Sequence, residues 1–354
     1  MVRFALDAAD DGALVDKSWL EIAANPEVYR ESGLLPRYLK APLLGVWEIT
    51  GRCGLRCVYC YNESPQTPPD LEWPIAERIA RDIISMRVFA FCISGGEPTL
   101  HPHYLDILRI LAEGGVAVGT ITNGWTMTPE LARSIARYTT TAQVSLDGPT
   151  AEVHDLVRGK QGSFERAARA VRLLRDAGAQ NVSVSFAGTR LNVDSFPRMP
   201  ELCVELGADK LRTQPLSMVG RAGAVPSLEP TPEQARSLKD FVETAQGRYG
   251  DLKIEWGDPS VHLKVGLAIG MALTLRITQD GDFGFSPYYP IFFGNARESR
   301  LSEVWERGLR AAWEHEAVRT LFEGGVESPV LRIPPGLEKP LHLTCRQPNG
   351  GDPA

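Results

Sequence analysis

Three thiols stand within eight residues of one another, in Cys53-Gly-Leu-Arg-Cys57-Val-Tyr-Cys60. Thiolates favour zinc or iron-sulfur clusters, and three on one short loop can serve a single metal centre. A structural zinc takes a fourth ligand, yet no further cysteine or histidine follows within finger spacing; the next candidate is His101. Two readings stay open on spacing alone. One is a zinc knuckle or redox motif that braces a loop in a structural or interaction protein. The other is a four-iron cluster held by three protein ligands, whose fourth iron stays open to a cosubstrate.

The elements around the loop speak for a catalytic setting. From residue 43 short β-branched runs alternate with amphipathic segments, as in parallel βα units. Strands are predicted at 44–50, 88–94, 116–122, 142–146, 182–186 and 210–214. Between them Ile75, Ile79 and Ile83 recur at helical spacing, as do Phe164, Ala168, Val171 and Leu174 ahead of Gly178, a natural helix stop. The fold class expected is α/β, a partial (βα)6 TIM-like barrel with a small C-terminal α+β extension. Residues 1–42 form a lead-in, 43–255 the barrel and 256–354 the extension. Within the extension, Asp280-Gly281 marks a hairpin and 301–316 an amphipathic helix.

Each strand ends in a glycine-rich or polar turn: Ser94-Gly95-Gly96-Glu97-Pro98, Thr122-Asn123-Gly124, Ser145-Leu146-Asp147-Gly148, Asn192 and Gln214-Pro215. In parallel βα folds the carboxyl ends of the strands share one rim, so these turns and the cysteine loop converge on one pocket. Glycine lets backbone approach a ligand, and Glu97 offers a carboxylate to an ammonium group.

Taken in order with Val157-Arg158-Gly159, these motifs resemble the radical S-adenosylmethionine (radical SAM) superfamily over about residues 43 to 223. The resemblance implies that Cys53, Cys57 and Cys60 hold a [4Fe-4S] cluster whose open iron is chelated by SAM. It places Gly95, Gly96 and Glu97 at the methionine amine, Arg158 at its carboxylate, Tyr59 at the adenine, and Asn123 and Ser145 near the ribose. It also implies reductive cleavage of SAM to a 5′-deoxyadenosyl radical, which takes a hydrogen atom from the substrate. An external reductant of flavodoxin or ferredoxin type supplies the electron.

The C-terminal part, with Ile277-Thr-Gln-Asp-Gly-Asp282, Gly294-Asn295 and Leu301-Ser-Glu-Val-Trp305, is similar to the SPASM or twitch extension of peptide-modifying and natural-product members. Such extensions usually hold auxiliary clusters, but the expected cysteine position reads Ser286-Pro287-Tyr288-Tyr289, leaving Cys345 alone near the tail. The extension is therefore degenerate and serves as a substrate lid. Redox-neutral outcomes gain weight: epimerisation, rearrangement, elimination or decarboxylation of a ribosomal peptide, or of a small natural product such as a sugar or nucleoside. Cys345 is a candidate hydrogen donor to a product radical. Cys92 and Cys203 read as core, and the aromatic group Tyr288, Tyr289, Phe292 and Phe293 as core or pocket wall. His101 and His103 are assigned no role.

Composition narrows the partners. The 354 residues are 43% hydrophobic and 23% charged, ordinary for a globular protein. A net charge of -6 without a basic patch opposes nucleic acid binding. The longest apolar stretch, 265–275, is short of the ~20 residues that span a bilayer. The N-terminus lacks the pattern of a signal peptide, so the expected location is the cytoplasm.

Overall fold

The computed structural model describes residues 19–66, 69–257, 259–326 and 331–343. Eleven strands form one sheet among these residues. They are β1 (Leu44–Glu48), β2 (Ala90–Ser94), β3 (Ala117–Thr122), β4 (Thr141–Ser145), β5 (Val182–Gly188), β6 (Lys210–Pro215), β7 (Lys253–Trp256), β8 (Thr274–Ile277), β9 (Asp282–Gly284), β10 (Ile291–Asn295) and β11 (Leu341–His342). The order is β11-β10-β9-β8-β1-β2-β3-β4-β5-β6-β7. From β8 through β1 to β7 every pairing is parallel, whereas β9 runs antiparallel to both β8 and β10. Strands β7 and β8 are not neighbours, so the barrel is open between them.

The six expected strands all appear, within one or two residues at most ends. Strand β7 was not foreseen: Lys253-Ile-Glu-Trp256 is only four residues long and half polar, a weak signal at the edge of the parallel run. The Asp280-Gly281 hairpin forms as expected, with Ile277 opposite Phe283. Its first strand, however, lies directly against β1, with Val46 opposite Arg276, so the sheet continues unbroken past residue 256. The helix expected over 301–316 is a helix at Leu301–Arg307 followed by 3-10 turns at Leu309–Glu314, broken at the extended Gly308. Glycine at that point forfeits helix propensity, and the chain changes direction there.

Alternation along the strands sets two faces. On β3 and β4, Val118, Thr120, Ala142 and Val144 are buried under the helices, while Gly119, Ile121, Gln143 and Ser145 on the other face stay half exposed. The inner face of the curled sheet is thus accessible and largely polar. Outside it, Ala76, Ile79, Ala80 and Ile83 form the buried stripe of helix Trp73–Ser85, and Ala167, Ala168, Val171 and Leu174 that of helix Ser163–Asp176.

One buried carboxylate ties the two ends of the chain together. Asp82, on helix Trp73–Ser85, accepts from Arg300 Nε at 3.1 Å and from the Leu301 amide at 3.1 Å, so a side chain from a distant helix satisfies the first free N–H of helix Leu301–Arg307. Asp82→Ala is expected to lower stability by about 1–3 kcal/mol, measured by urea unfolding, because it leaves the buried Leu301 amide without an acceptor.

Candidate active site

The cysteine loop leaves the carboxyl end of β1 and is pinned on three sides by hydrogen bonds. The Gly96 and Glu97 amides donate to the Thr50 and Arg52 carbonyls at 2.8 Å each, and the Val58 amide donates to Val157 O at 2.9 Å. On the third side Arg221 donates from Nε to Cys57 O at 2.9 Å and from Nη2 to Ser64 O at 2.6 Å, while its own amide reaches Cys60 O at 3.0 Å. Gly95 and Gly96 owe their identity to this packing. A Cβ on Gly95 would strike the Thr50 carbonyl oxygen and one on Gly96 the Arg52 carbonyl oxygen, and Gly95 also holds φ +136°. Their lack of side chains serves the seating of the cysteine loop, a second reason for glycine beside the ligand approach expected from the sequence.

Polar groups converge on the sulfurs. The Leu55 amide donates to Cys53 Sγ at 3.4 Å, Asn123 Nδ2 donates to the same sulfur at 3.5 Å, and Arg158 Nη1 donates to Cys57 Sγ at 3.6 Å. Burial pushes the Cys53 thiol up to about 11, with Glu97, Cys57 and Cys60 adding to the shift. Burial and then Cys57 also raise Cys60, against the opposing charge of Arg221. Thiols so placed become thiolates only when a cation binds them. Among the described residues no three His, Cys, Asp or Glu side chains are arranged to share one metal ion. Sulfurs that raise one another's pKa, with N–H donors aimed at them, suit a cluster that offers each thiolate its own iron.

Glu97 is buried and already well bonded. Oε1 accepts from the hydroxyls of Thr99 at 2.6 Å and Thr122 at 2.7 Å, and Oε2 from the Asn123 amide at 2.7 Å. Burial raises its pKa, and these donors oppose the rise. The carboxylate thus fixes the turn after β3, from which Asn123 reaches Cys53, and keeps spare acceptor capacity on Oε2.

Asp147, quoted in a turn motif but given no role by the sequence reading, is the hub on the opposite side. It is fully buried and accepts from the Tyr59 hydroxyl and from the Ala187 amide at 2.8 Å. Its Oδ2 also lies 2.5 Å from Arg158 Nε, a close ionic contact whose angle does not make a hydrogen bond. Burial opposes the Arg158 charge, but Asp147, Tyr59 and Cys57 outweigh it and hold the guanidinium above its ordinary pKa. Arg158 also lies over the Tyr59 ring at 5.5 Å. Ser145 closes β4 on the half-exposed inner face. The structure thereby gathers Tyr59, Arg158, Asn123 and Glu97 around the three cysteines. Cys203 is a buried helix residue and Cys92 a strand residue, and burial raises both thiols, Cys92 to about 12. Cys345 lies outside the described residues.

A family model described as the radical SAM superfamily matches residues 47–203. Residues 47–203 thus form a radical SAM domain. A [4Fe-4S] cluster and SAM are accordingly its cofactors. Among curated relatives, the radical SAM chain is 37% identical over 230 residues to the mycofactocin maturase MftC of Mycolicibacterium smegmatis, covering 64% of this chain and 57% of that one. It therefore spans little more than half of that relative's length. It is 29% identical over 290 residues to the AdoMet-dependent heme synthase of Methanosarcina barkeri, covering 75% and 82%. Among solved structures, SuiB of Streptococcus suis shares the radical SAM fold. The form bound to S-adenosylmethionine aligns with a TM-score of 0.66 at 17% identity over 86% of this chain and 72% of that one, and the form bound to precursor peptide SuiA with 0.64 at 14% over 96% and 85%. No helix among the described residues is long and apolar enough to cross a membrane.

Two predictions follow from the packing. Gly95→Ala should cost at least about 2 kcal/mol in urea unfolding and lower iron uptake on reconstitution, because both the φ and the Thr50 carbonyl oppose a side chain. The second concerns His154, buried beside Asp147, whose Nδ1 accepts the Asp147 amide at 2.9 Å. Burial, then Arg158, lowers its pKa to about 4. The unfolded chain binds this proton more readily, so stability falls as pH drops from about 6.5 towards 4; His154→Gln should flatten that slope in urea titrations across this range.

Proposed function

We propose that this radical SAM enzyme draws a hydrogen atom from a residue of a ribosomally made peptide, with a redox-neutral outcome. The observation that carries the reading is a cavity of about 690 Å³ joining the cysteine loop to the extension. Tyr61, Asn62 and Glu63, which directly follow Cys60, line one side. Residues of β8 to β11 with Tyr288 and Phe292 line the other. A volume of this size suits a bound ligand, and its position sets that ligand beside the cluster loop. A larger hollow of about 760 Å³, between Phe293, Arg307 and His315, touches none of the predicted site residues.

In this reading Cys53, Cys57 and Cys60 hold the cluster, and together with SAM it supplies a 5′-deoxyadenosyl radical. The remaining roles belong to the chain. Arg158, its charge half balanced by Asp147, keeps Nη donors for the SAM carboxylate; Glu97 Oε2, with Gly95 and Gly96 beside it, accepts from the amine. Tyr59 flanks the adenine, and Asn123 and Ser145 face the ribose. The aromatic group divides: Tyr289 and Phe293 are core, whereas Tyr288 and Phe292 reach the cavity. Ser286, at the position where an auxiliary cluster ligand was expected, is buried and accepts the Tyr288 amide at 3.2 Å, so it shapes the wall. With no second cysteine in the extension, the product radical is quenched by hydrogen return instead of oxidation through another cluster.

The length of the match to the heme synthase supports a second reading, a tetrapyrrole substrate. Carboxylate-bearing tetrapyrroles suit the cavity poorly, because Glu63, Asp280, Asp282 and Glu338 line it.

Anaerobic reconstitution with iron and sulfide should give a brown protein with about four irons per chain, and dithionite with SAM should yield 5′-deoxyadenosine. Cys57→Ala should abolish both. Mass spectrometry of candidate precursor peptides encoded beside the gene should show a changed residue or deuterium uptake from solvent. A colourless protein binding one zinc tightly refutes the reading.

A further inference from the structure

The cavity beside the cysteine loop is rich in carboxylates, two of them with neutral donors already in place: Asn295 Nδ2 to Asp282 Oδ1 at 2.8 Å and the Gly336 amide to Glu338 Oε1 at 3.0 Å. Four carboxylates face it, from Glu63, Asp280, Asp282 and Glu338. Its two arginines are already committed. Arg276 donates to Glu48 Oε2 from Nη2 at 2.9 Å and from Nε at 3.3 Å, and Arg332 is bidentate on Glu229 at 2.6 and 2.7 Å. Glu63 is exposed, at φ +52°, on the stretch that follows Cys60. Asp280 and Asp282 sit two residues apart across the hairpin turn, where burial and then the Asp282 charge lift the Asp280 pKa, against Arg297.

A second observation is independent of those charges. Gln279 lines the same cavity at 6% exposure; its Nε2 donates to Gln66 Oε1 at 2.8 Å, while its Oε1 is buried without any donor. An unpaired buried acceptor costs free energy until a donor reaches it. The wall also carries the rings of Tyr61, Tyr288 and Phe292, and the Phe292 ring already holds one cation, the Arg276 guanidinium at 5.8 Å.

We infer that this cavity is a cation-recognising subsite, which takes a lysine or arginine side chain of the peptide substrate. The inference rests on the reading of the cavity as the substrate site. Carboxylates at the mouth draw the charge in, the aromatic rings pack its methylenes, and the donor-rich head meets the carboxylate oxygens and Gln279 Oε1. A sequence with a basic residue near the modified position is thereby selected over an acidic one.

The test uses the full-length reconstituted protein and calorimetric titration with trilysine, spermidine and triglutamate at low salt. Trilysine should bind, triglutamate should not, and affinity should fall as salt is raised. Glu63→Gln with Glu338→Gln should weaken trilysine by roughly tenfold, while the remote exposed pair Glu165→Gln with Glu201→Gln leaves it unchanged. Circular dichroism of both doubles checks folding, and Asp280→Asn provides a third local variant expected to weaken binding in the same direction. Equal losses in the local and remote doubles, or equal binding of triglutamate, overturn the inference. Spermidine binding as tightly as trilysine overturns the assignment to a peptide and leaves a free polyamine as the ligand. Absence of 5′-deoxyadenosine in the same preparation with normal trilysine binding refutes the radical reading and not the subsite.

Discussion

The contact on which the site depends is the one between Arg158 and Asp147. Two opposite charges meet away from water, and neither is tolerable there without the other. Their meeting joins the helix Ala151–Arg158 to the end of β4, holds Tyr59 through its hydroxyl, and leaves one guanidinium nitrogen directed at Cys57. A thiolate beside that nitrogen gains a donor, and a cluster bound there is more easily reduced than one facing apolar walls. The position of Cys57 is thus influenced from the turn after β4, three strands from β1 in the sheet order, by a residue that acts through Arg158.

The parts of this arrangement that repeat in a regular way were legible in the sequence. Periodicity revealed six parallel strands, and the order of polar turns after them revealed a shared rim. The cysteine spacing revealed the loop. Contacts across the fold were not legible, because they join residues with no local signal: Arg221 is one arginine in a glycine-rich run, and Glu48 and Arg276 are separated by 228 positions. The packing role of two glycines was hidden for a related reason. A glycine that admits a ligand and one that admits a neighbouring backbone look alike until the neighbour is in place, and for Gly95 and Gly96 the neighbours are Thr50 and Arg52.

The extension is shaped by local hydrogen bonds as much as by its sheet pairing. The hairpin of β8 and β9 retains its turn at Asp280-Gly281, and Ser286 turns its hydroxyl to the Tyr288 amide and to His262 Nε2 at 3.3 Å. What remains is a wall of aromatic and acidic residues standing over the barrel mouth, suited to selecting a substrate.

That β1 lies in the interior of an uninterrupted sheet has a practical outcome for modular engineering. The same five residues carry the cysteines at their end, pair with β2 on one edge and with β8 on the other. Excising the extension before β8 would bare a row of unpaired amides next to the cluster loop and strip Glu48 of its counter-ion. Chimaeras that trade specificity between such enzymes should therefore keep β8 with the barrel and splice within the turn that follows it.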